Sequence, residues 1–258
     1  MDKQKIVDAI LSSKNYNFLA PTLVARIVTE EMAKFKKEKD VIKHAKNKLH
    51  QYSDMFFDNT AIKNLSESDL TNNQTILNLL NAHKSTSERL TFANELFADV
   101  FNVCKNASSV IDLGCGLNPL FVSQVDVLQN KNYLAIDVNT LTTTLLNKFF
   151  VANGINGKAE ALDILTDIPN TKFDVALMFK LAPLLERQKK GSVADILKKL
   201  IAKYVVVSFP LVSVRGNTNT SMEQNYKTYF ANFANTNNLK LIFQKVYTNE
   251  AVFIIENL

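Results

Sequence analysis

The stretch VIDLGCGLNPL, residues 110–120, decides the fold. Its first half is a β-branched apolar run carrying Asp112, and it passes directly into the turn Gly114-Cys115-Gly116. Glycines placed there let backbone approach a ligand closely, as at the first strand-to-helix turn of a doubly wound sheet. Working outward, six more strand-like runs follow that pattern: NYLAID (132–137), KAEAL (158–162), FDVALM (173–178), YVVVSF (204–209), LKLIFQKV (239–246) and AVFIIE (251–256). With SSVIDL (108–113) they make seven, separated mostly by helical stretches, which predicts an alternating α/β domain. Only a short turn around Tyr247 to Glu250 divides the last two, so they are expected to pair antiparallel.

Upstream the pattern differs. Residues 1–82 carry helical periodicity and almost no strand signal, with Ile6, Ile10 and Leu11, then Leu23, Ile27 and Val28, spaced for buried helix faces. A small helical domain over 1–82 is therefore expected ahead of an α/β domain over 83–258. Within it Lys36, Lys39, Lys43, Lys46 and His50 fall on one helical stripe, and Ile42, Ala45 and Leu49 on another. Lys14, Lys48 and Lys63 extend the basic set. Ser66 or Ser68 is expected to cap the helix that follows the polar segment 66–74.

Net charge is +5, and its location says more than its size. Residues 1–50 hold eleven Lys/Arg against six Asp/Glu, while the remainder is formally neutral. A basic module on a neutral domain fits a polyanionic partner, nucleic acid ahead of a membrane surface or an acidic protein. The plain alternative is a solvated lysine-rich face. No apolar run is long enough for a membrane span, and MDKQKIVDAILSSK lacks the features of a secretory leader, so a soluble cytoplasmic protein is expected. Cys104 and Cys115 do not have the spacing of a zinc site or need to form a staple, and no metal is expected.

The glycine turn is short of the full GxGxxG dinucleotide fingerprint, and no GK[ST] phosphate loop is present. A cofactor without a pyrophosphate fits best, which favours S-adenosylmethionine over NAD or ATP. Asp112 would orient the turn or the cofactor's amino end. Asp137, ending the second strand, is placed to accept from both ribose hydroxyls. Asp163, after the third, is placed to bond the adenine amino group. Helix capping is the alternative for each aspartate taken alone.

Four segments then carry a specific resemblance: HKSTSERL (83–90), DLGCGLNPL (112–120), MFKLAPLLER (178–187), and VSFP (207–210) followed by MEQNY (222–226). Together they resemble the aminoglycoside-resistance 16S rRNA (guanine(1405)-N(7))-methyltransferase family, and the N-terminal SSKNY and KNKLHQ segments resemble that family's RNA-binding domain. The resemblance implies a Rossmann-like, seven-stranded class I methyltransferase domain behind a helical RNA-binding domain. It implies further that Arg89 reaches the cofactor's methionine carboxylate, with His83 and Ser85 shaping that pocket. Asp112, Gly114, Cys115, Gly116, Asp137, Asp163, Phe179 and Leu181 complete the expected cofactor set. Phe179 and Lys180, after the fourth strand, and Met222 and Glu223, in a loop after the fifth, are the candidates for the target-base pocket. Lys14, Lys46, Lys48, Arg215 and Met222 are the expected RNA contacts. The chain departs from the family pattern at Ser221, which stands where the family has glycine before the methionine, and Arg215 is the phosphate contact this segment offers.

Guanine N7 keeps an accessible lone pair in the neutral base, so no acid or base residue is expected in catalysis. Nor does the sequence carry a D-P-P-Y or N-P-P-Y run, or a cysteine placed as a nucleophile. The implied partner is 16S rRNA within the 30S subunit, bound by a monomer. Two other readings stay open on the residues alone. One is a methyltransferase of another rRNA position, a small molecule or a protein, with the helical domain as a lid. The other is a non-catalytic ribosome-binding factor.

Overall fold

In the computed structural model, which describes residues 1–53, 62, 65–122, 131–211, 220–237 and 239–257, all seven strand-like runs enter one sheet. The strands are β1 (Ser109–Leu113), β2 (Asn132–Asp137), β3 (Gly157–Ala161), β4 (Phe173–Phe179), β5 (Ala202–Pro210), β6 (Lys240–Tyr247) and β7 (Glu250–Glu256). Their order is β3-β2-β1-β4-β5-β7-β6. β1 to β5 pair parallel, and β7 inserts antiparallel between β5 and β6. The strand order reverses between β1 and β4, so the crevice at their carboxyl ends is where such a sheet holds ligands. This is the expected Rossmann-like domain with a helical unit ahead of it.

Alternation along β1 shows why those residues make a central strand. Val110 packs into the cluster on one sheet face and Ile111 and Leu113 into that on the other. The first face is covered by α4 (Asn73–Ala82), α6 (Ala93–Val103), α7 (Asn118–Val122) and α8 (Thr140–Ala152), through Leu79, Phe97, Leu120 and Phe149. The second is covered by α9 (Ala182–Gln188), α10 (Ser192–Lys199) and α11 (Thr220–Thr236), through Leu185, Ile196 and Phe230. A further short helix, α5 (Lys84–Ser87), follows α4. Among the described residues no helix is long and apolar enough to cross a membrane.

The third cluster belongs to α1 (Lys3–Leu11), α2 (Pro21–Met32) and α3 (Glu38–Ser53). Asp2 caps α1, and Pro21 opens α2, where its missing N–H costs nothing. In α3 the buried stripe is Val41, Ala45 and Leu49, so the apolar face is centred one residue earlier than Ile42 suggested. Lys36 precedes the helix, leaving Lys39, Lys43 and His50 exposed on it. Two sequence readings are displaced by packing. The helical cluster ends at Leu49, whereas Ile62, Leu70, Ile76, Leu79 and Leu80 are buried with the sheet. The cap of α4 is Asn72, whose side chain accepts from Gln74 and Thr75, while Ser66 pairs with Asp69 instead.

Residues 222–226, expected in a loop, lie within α11, so Asn225 and Tyr226 sit on a helix. Tyr226 stacks on Phe209 at 4.6 Å, which anchors that helix to the end of β5. Met222 and Glu223 fall in its first turns, and their side chains, with Lys63 and Arg215, lie outside the described residues.

Candidate cofactor site and nucleic-acid face

The turn after β1 holds two left-handed residues, Gly114 at φ +62° and Gly116 at φ +50°. Space demands glycine as well as dihedral: a Cβ on Gly114 would stand 2.8 Å from a methyl of Leu181, and one on Gly116 would stand 2.9 Å from the ring of His83. Asp137 fixes the turn from the next strand. Its Oδ2 accepts from Gly116 N at 2.9 Å and its Oδ1 from Asn139 N at 2.9 Å, while burial pushes its carboxyl above the usual range.

A cavity of about 1180 Å³, open mouth included, runs along this edge. It is lined by His83, Ser85, Gly114, Cys115, Gly116, Asp137, Asp163, Phe179, Lys180 and Leu181, so ten of the positions singled out in the sequence converge on one space. Asp112 lies beneath the turn, fully buried. The Tyr133 hydroxyl donates to its Oδ2 at 2.7 Å, and Oδ1 carries no hydrogen bond of ordinary geometry. Burial pushes this carboxyl up to about 7, against the lowering pull of Tyr133, Arg89 and Asn118. The thiol of Cys115 is buried and pushed well above its ordinary range by desolvation, which makes it a packing group.

Arg89 departs from expectation in its partner. It is fully buried and absent from the cavity wall, and its Nε and Nη2 donate to the two oxygens of Glu250, at 3.2 and 2.8 Å. A third donation goes to Asn118 Oδ1 at 2.5 Å, and the guanidinium lies 4.7 Å from the centre of the Phe179 ring. The bidentate carboxylate that Arg89 requires is thus supplied by the chain itself. Glu250 opens β7 after a two-residue hairpin turn and is held below the ordinary range by Arg89 and Lys180 despite its burial.

Lys180 adopts φ +54°, a left-handed conformation uncommon for a side-chain-bearing residue. Its backbone N–H donates to Ser208 O and Oγ, and its ammonium lies 2.7 Å from Glu88 and 3.4 Å from Glu250. The strained residue is held by both ends at the cavity wall, as functional sites often require.

His83 is buried, with Nδ1 at 3.1 Å from Thr86 Oγ1. Burial, then the charges of Arg89 and Lys180, pull its pKa down to about 4. The folded protein keeps this imidazole neutral where the unfolded chain, titrating near 6.5, takes a proton. Stability therefore rises with pH across that window and is lost as pH falls from 6.5 to 4, by about 3 kcal/mol at 1.36 kcal/mol per unit. Urea unfolding of wild type and His83→Gln at pH 7.5 and pH 4 checks this: the wild type should lose about 3 kcal/mol more than the variant, and parallel losses would contradict it.

The helical unit also reaches this cavity, which the sequence did not reveal. Phe18, Leu19 and Leu23 line it, Ala20 N donates to Val138 O, and Thr140 N donates to Phe18 O, each at 2.7 Å. On the outer face Lys14 is exposed, Lys46 donates to Ser13 Oγ at 3.0 Å, and Lys48 is paired with Glu30 at 3.0 Å and Glu31 at 2.7 Å.

Residues 12–254 match the family described as ribosomal RNA methyltransferase (FmrO). The chain belongs to that family. A Serratia marcescens 16S rRNA (guanine(1405)-N(7))-methyltransferase is 30% identical over 234 residues, covering 89% of each chain. A Proteus mirabilis protein of the same name is 29% identical, covering 99% of this chain and 97% of its own. Among solved structures, the 16S rRNA methyltransferase RmtF in complex with S-adenosyl-L-homocysteine superposes with a TM-score of 0.84 at 32% identity, over the full length of both chains. The 16S rRNA methylase RmtB gives 0.85 at 26% identity, over 100% of this chain and 99% of its own.

The fold and cavity fit the cofactor of such a family. Paired glycines leave room that a Cβ would fill, a carboxylate stands near the end of each of the first two strands, and one buried oxygen of Asp112 has no hydrogen bond of ordinary geometry. Asn118, Asn139, Thr142 and Gln188 also line the cavity and were not foreseen. Asn118 could have been read from its place two residues after Gly116; the others depend on how helices pack.

Proposed function

We propose that the chain transfers a methyl group from S-adenosylmethionine to N7 of guanosine 1405 of 16S rRNA in the 30S subunit, conferring aminoglycoside resistance. The observation that carries this reading is the likeness along the whole chain, helical unit included, to methyltransferases of that name. Bound in the cavity, S-adenosylmethionine supplies an electrophilic methyl group on a sulfonium sulfur.

The chain's residues hold and orient. Asp137, which anchors Gly116, would hold the ribose hydroxyls, and Asp163 with the apolar wall of Leu19 and Leu23 would hold the adenine. His83 and Ser85 would serve the methionine end, with Asp112 beneath the turn and Arg89 acting from behind through Asn118. Lys180 and Phe179 border the space for the base, for which Met222 and Glu223 are the further candidates. No residue is assigned to take a proton, because guanine N7 offers its lone pair in the neutral base; positioning and exclusion of water carry the rate. Lys14 and Lys46, joined by Arg215 and by Lys48 when it leaves its carboxylates, contact rRNA phosphates as a monomer docks on the subunit in the cytoplasm.

Incubation with labelled S-adenosylmethionine and 30S subunits, followed by borohydride/aniline cleavage and primer extension, tests this directly. A strong stop at guanosine 1405 is expected. Cofactor uptake without labelled 16S rRNA would overturn the ribosomal reading.

A further inference from the structure

One side chain of the helical unit is built into the wall of the cavity. Arg26, on α2, donates from Nε to Asp163 Oδ2 at 2.5 Å, from Nη2 to Gln188 Oε1 at 2.9 Å and from Nη1 to Glu30 Oε1 at 2.9 Å. Asp163 follows β3 and Gln188 ends α9, and both line the cavity. The Thr22 hydroxyl adds a second tie from α2, accepting from Asp163 N at 3.0 Å. Arg26 is 14% exposed and Asp163 5%, so this is a largely desolvated pair. Such pairs repay their desolvation only with near-ideal geometry, and a planar fork satisfying three partners at once supplies it.

The placement has a consequence for the ligand. Part of the cavity's apolar wall, Phe18, Leu19 and Leu23, comes from the helical unit, and the cavity is incomplete without it. Arg26 is the charged fastening across that seam, and it holds the very carboxylate placed at the adenine end. Its remaining partner, Glu30, is shared with Lys48 on α3, so the fastening continues into the basic face.

We propose that Arg26 is a positioning residue for the cofactor: it fixes the Asp163 carboxylate and clamps the helical unit as a wall of the cofactor cavity, so that cofactor affinity depends on the docking of that unit. This rests on the reading of the cavity as the S-adenosylmethionine site. By linkage, bound cofactor tightens the seam as much as the seam tightens cofactor.

The test is calorimetric titration of the full chain with S-adenosylhomocysteine, for wild type, Arg26→Gln and Arg26→Lys, with circular dichroism confirming the fold. Steady-state methylation of 30S subunits runs beside it. Arg26→Gln should bind about tenfold more weakly and raise KM for S-adenosylmethionine, with kcat at saturating cofactor unchanged. Arg26→Lys keeps the charge beside Asp163 but cannot fork to three partners, and should fall between the two. It carries the test should the glutamine variant fail to fold. A folded variant with wild-type affinity would overturn the inference alone. Wild-type protein that takes up no S-adenosylhomocysteine would overturn the cofactor reading and this inference with it.

Discussion

Replacing Glu250 by alanine is expected to cost about 3 to 5 kcal/mol of folding free energy, the usual penalty for removing one partner of a buried ion pair. Both Glu250 and Arg89 are fully buried, and alanine would leave the guanidinium facing Lys180 with only Asn118 to receive it. Ser208, which donates to the same carboxylate, would lose its acceptor too. The pair itself need not be worth that much. An Arg89→Met, Glu250→Leu double variant removes both charges and should recover much of the loss, since apolar replacements of buried pairs are often near neutral. Urea unfolding checks the alanine loss, and the same measurement on Arg89→Met, Glu250→Leu and the double variant closes the cycle. Losses that simply add would mean that Arg89 and Glu250 act independently, against the geometry seen here.

That pair also marks where the sequence stops being readable. Strand positions were legible because burial on both sheet faces leaves short β-branched runs, and the glycine turn was legible because only glycine tolerates its dihedrals and spacing. Arg89 could be singled out, but its partner lies 161 residues away on a hairpin whose carboxylate looks like any other turn residue in the chain. The same holds for Arg26 and Asp163, 137 residues apart. Long-range side-chain pairing leaves no periodic trace. The error over residues 222–226 has a different cause: polar, weakly amphipathic helix α11 reads as loop until Tyr226 and Phe230 are seen packed on Phe209.

Lys48 shows how charge counting can mislead about a surface. The excess of basic residues in the first fifty is real, yet Lys48 spends its charge on Glu30 and Glu31, and Arg26 on Asp163. What faces outward includes Lys14 in the turn after α1 and Lys39 and Lys43 on α3, which stay exposed whatever the internal pairs do. A basic module can thus serve as both a phosphate-facing surface and an internal clamp, with different lysines and arginines assigned to each.

Asp112 is where stability and binding should part company. Its carboxyl titrates near 7 in the folded protein against an ordinary value of 3.8, because burial disfavours the charge. The protonated form therefore stabilises the fold, fully below pH 3.8, and that contribution is lost as pH rises through 7, by about 4 kcal/mol at 1.36 kcal/mol per unit. Asp112→Asn keeps an oxygen to accept from Tyr133 and carries no charge to desolvate. Urea unfolding from pH 4 to pH 8 should show the variant gaining on the wild type by about 3 to 4 kcal/mol across that range, whatever the fixed cost of its amide. Cofactor binding should move the other way. Asp112 lies beneath the turn and not in the cavity wall, so a charge-assisted bond to the amino end of S-adenosylhomocysteine, worth about 1.5 to 3 kcal/mol, would need that group to reach past the turn; if it does, the variant should bind about ten- to a hundredfold more weakly at pH 8. A variant that gains stability and keeps its affinity would leave Asp112 as a brace for the turn alone; one that loses affinity shows that the chain accepts a desolvated charge at rest in order to hold a cation when the site is filled.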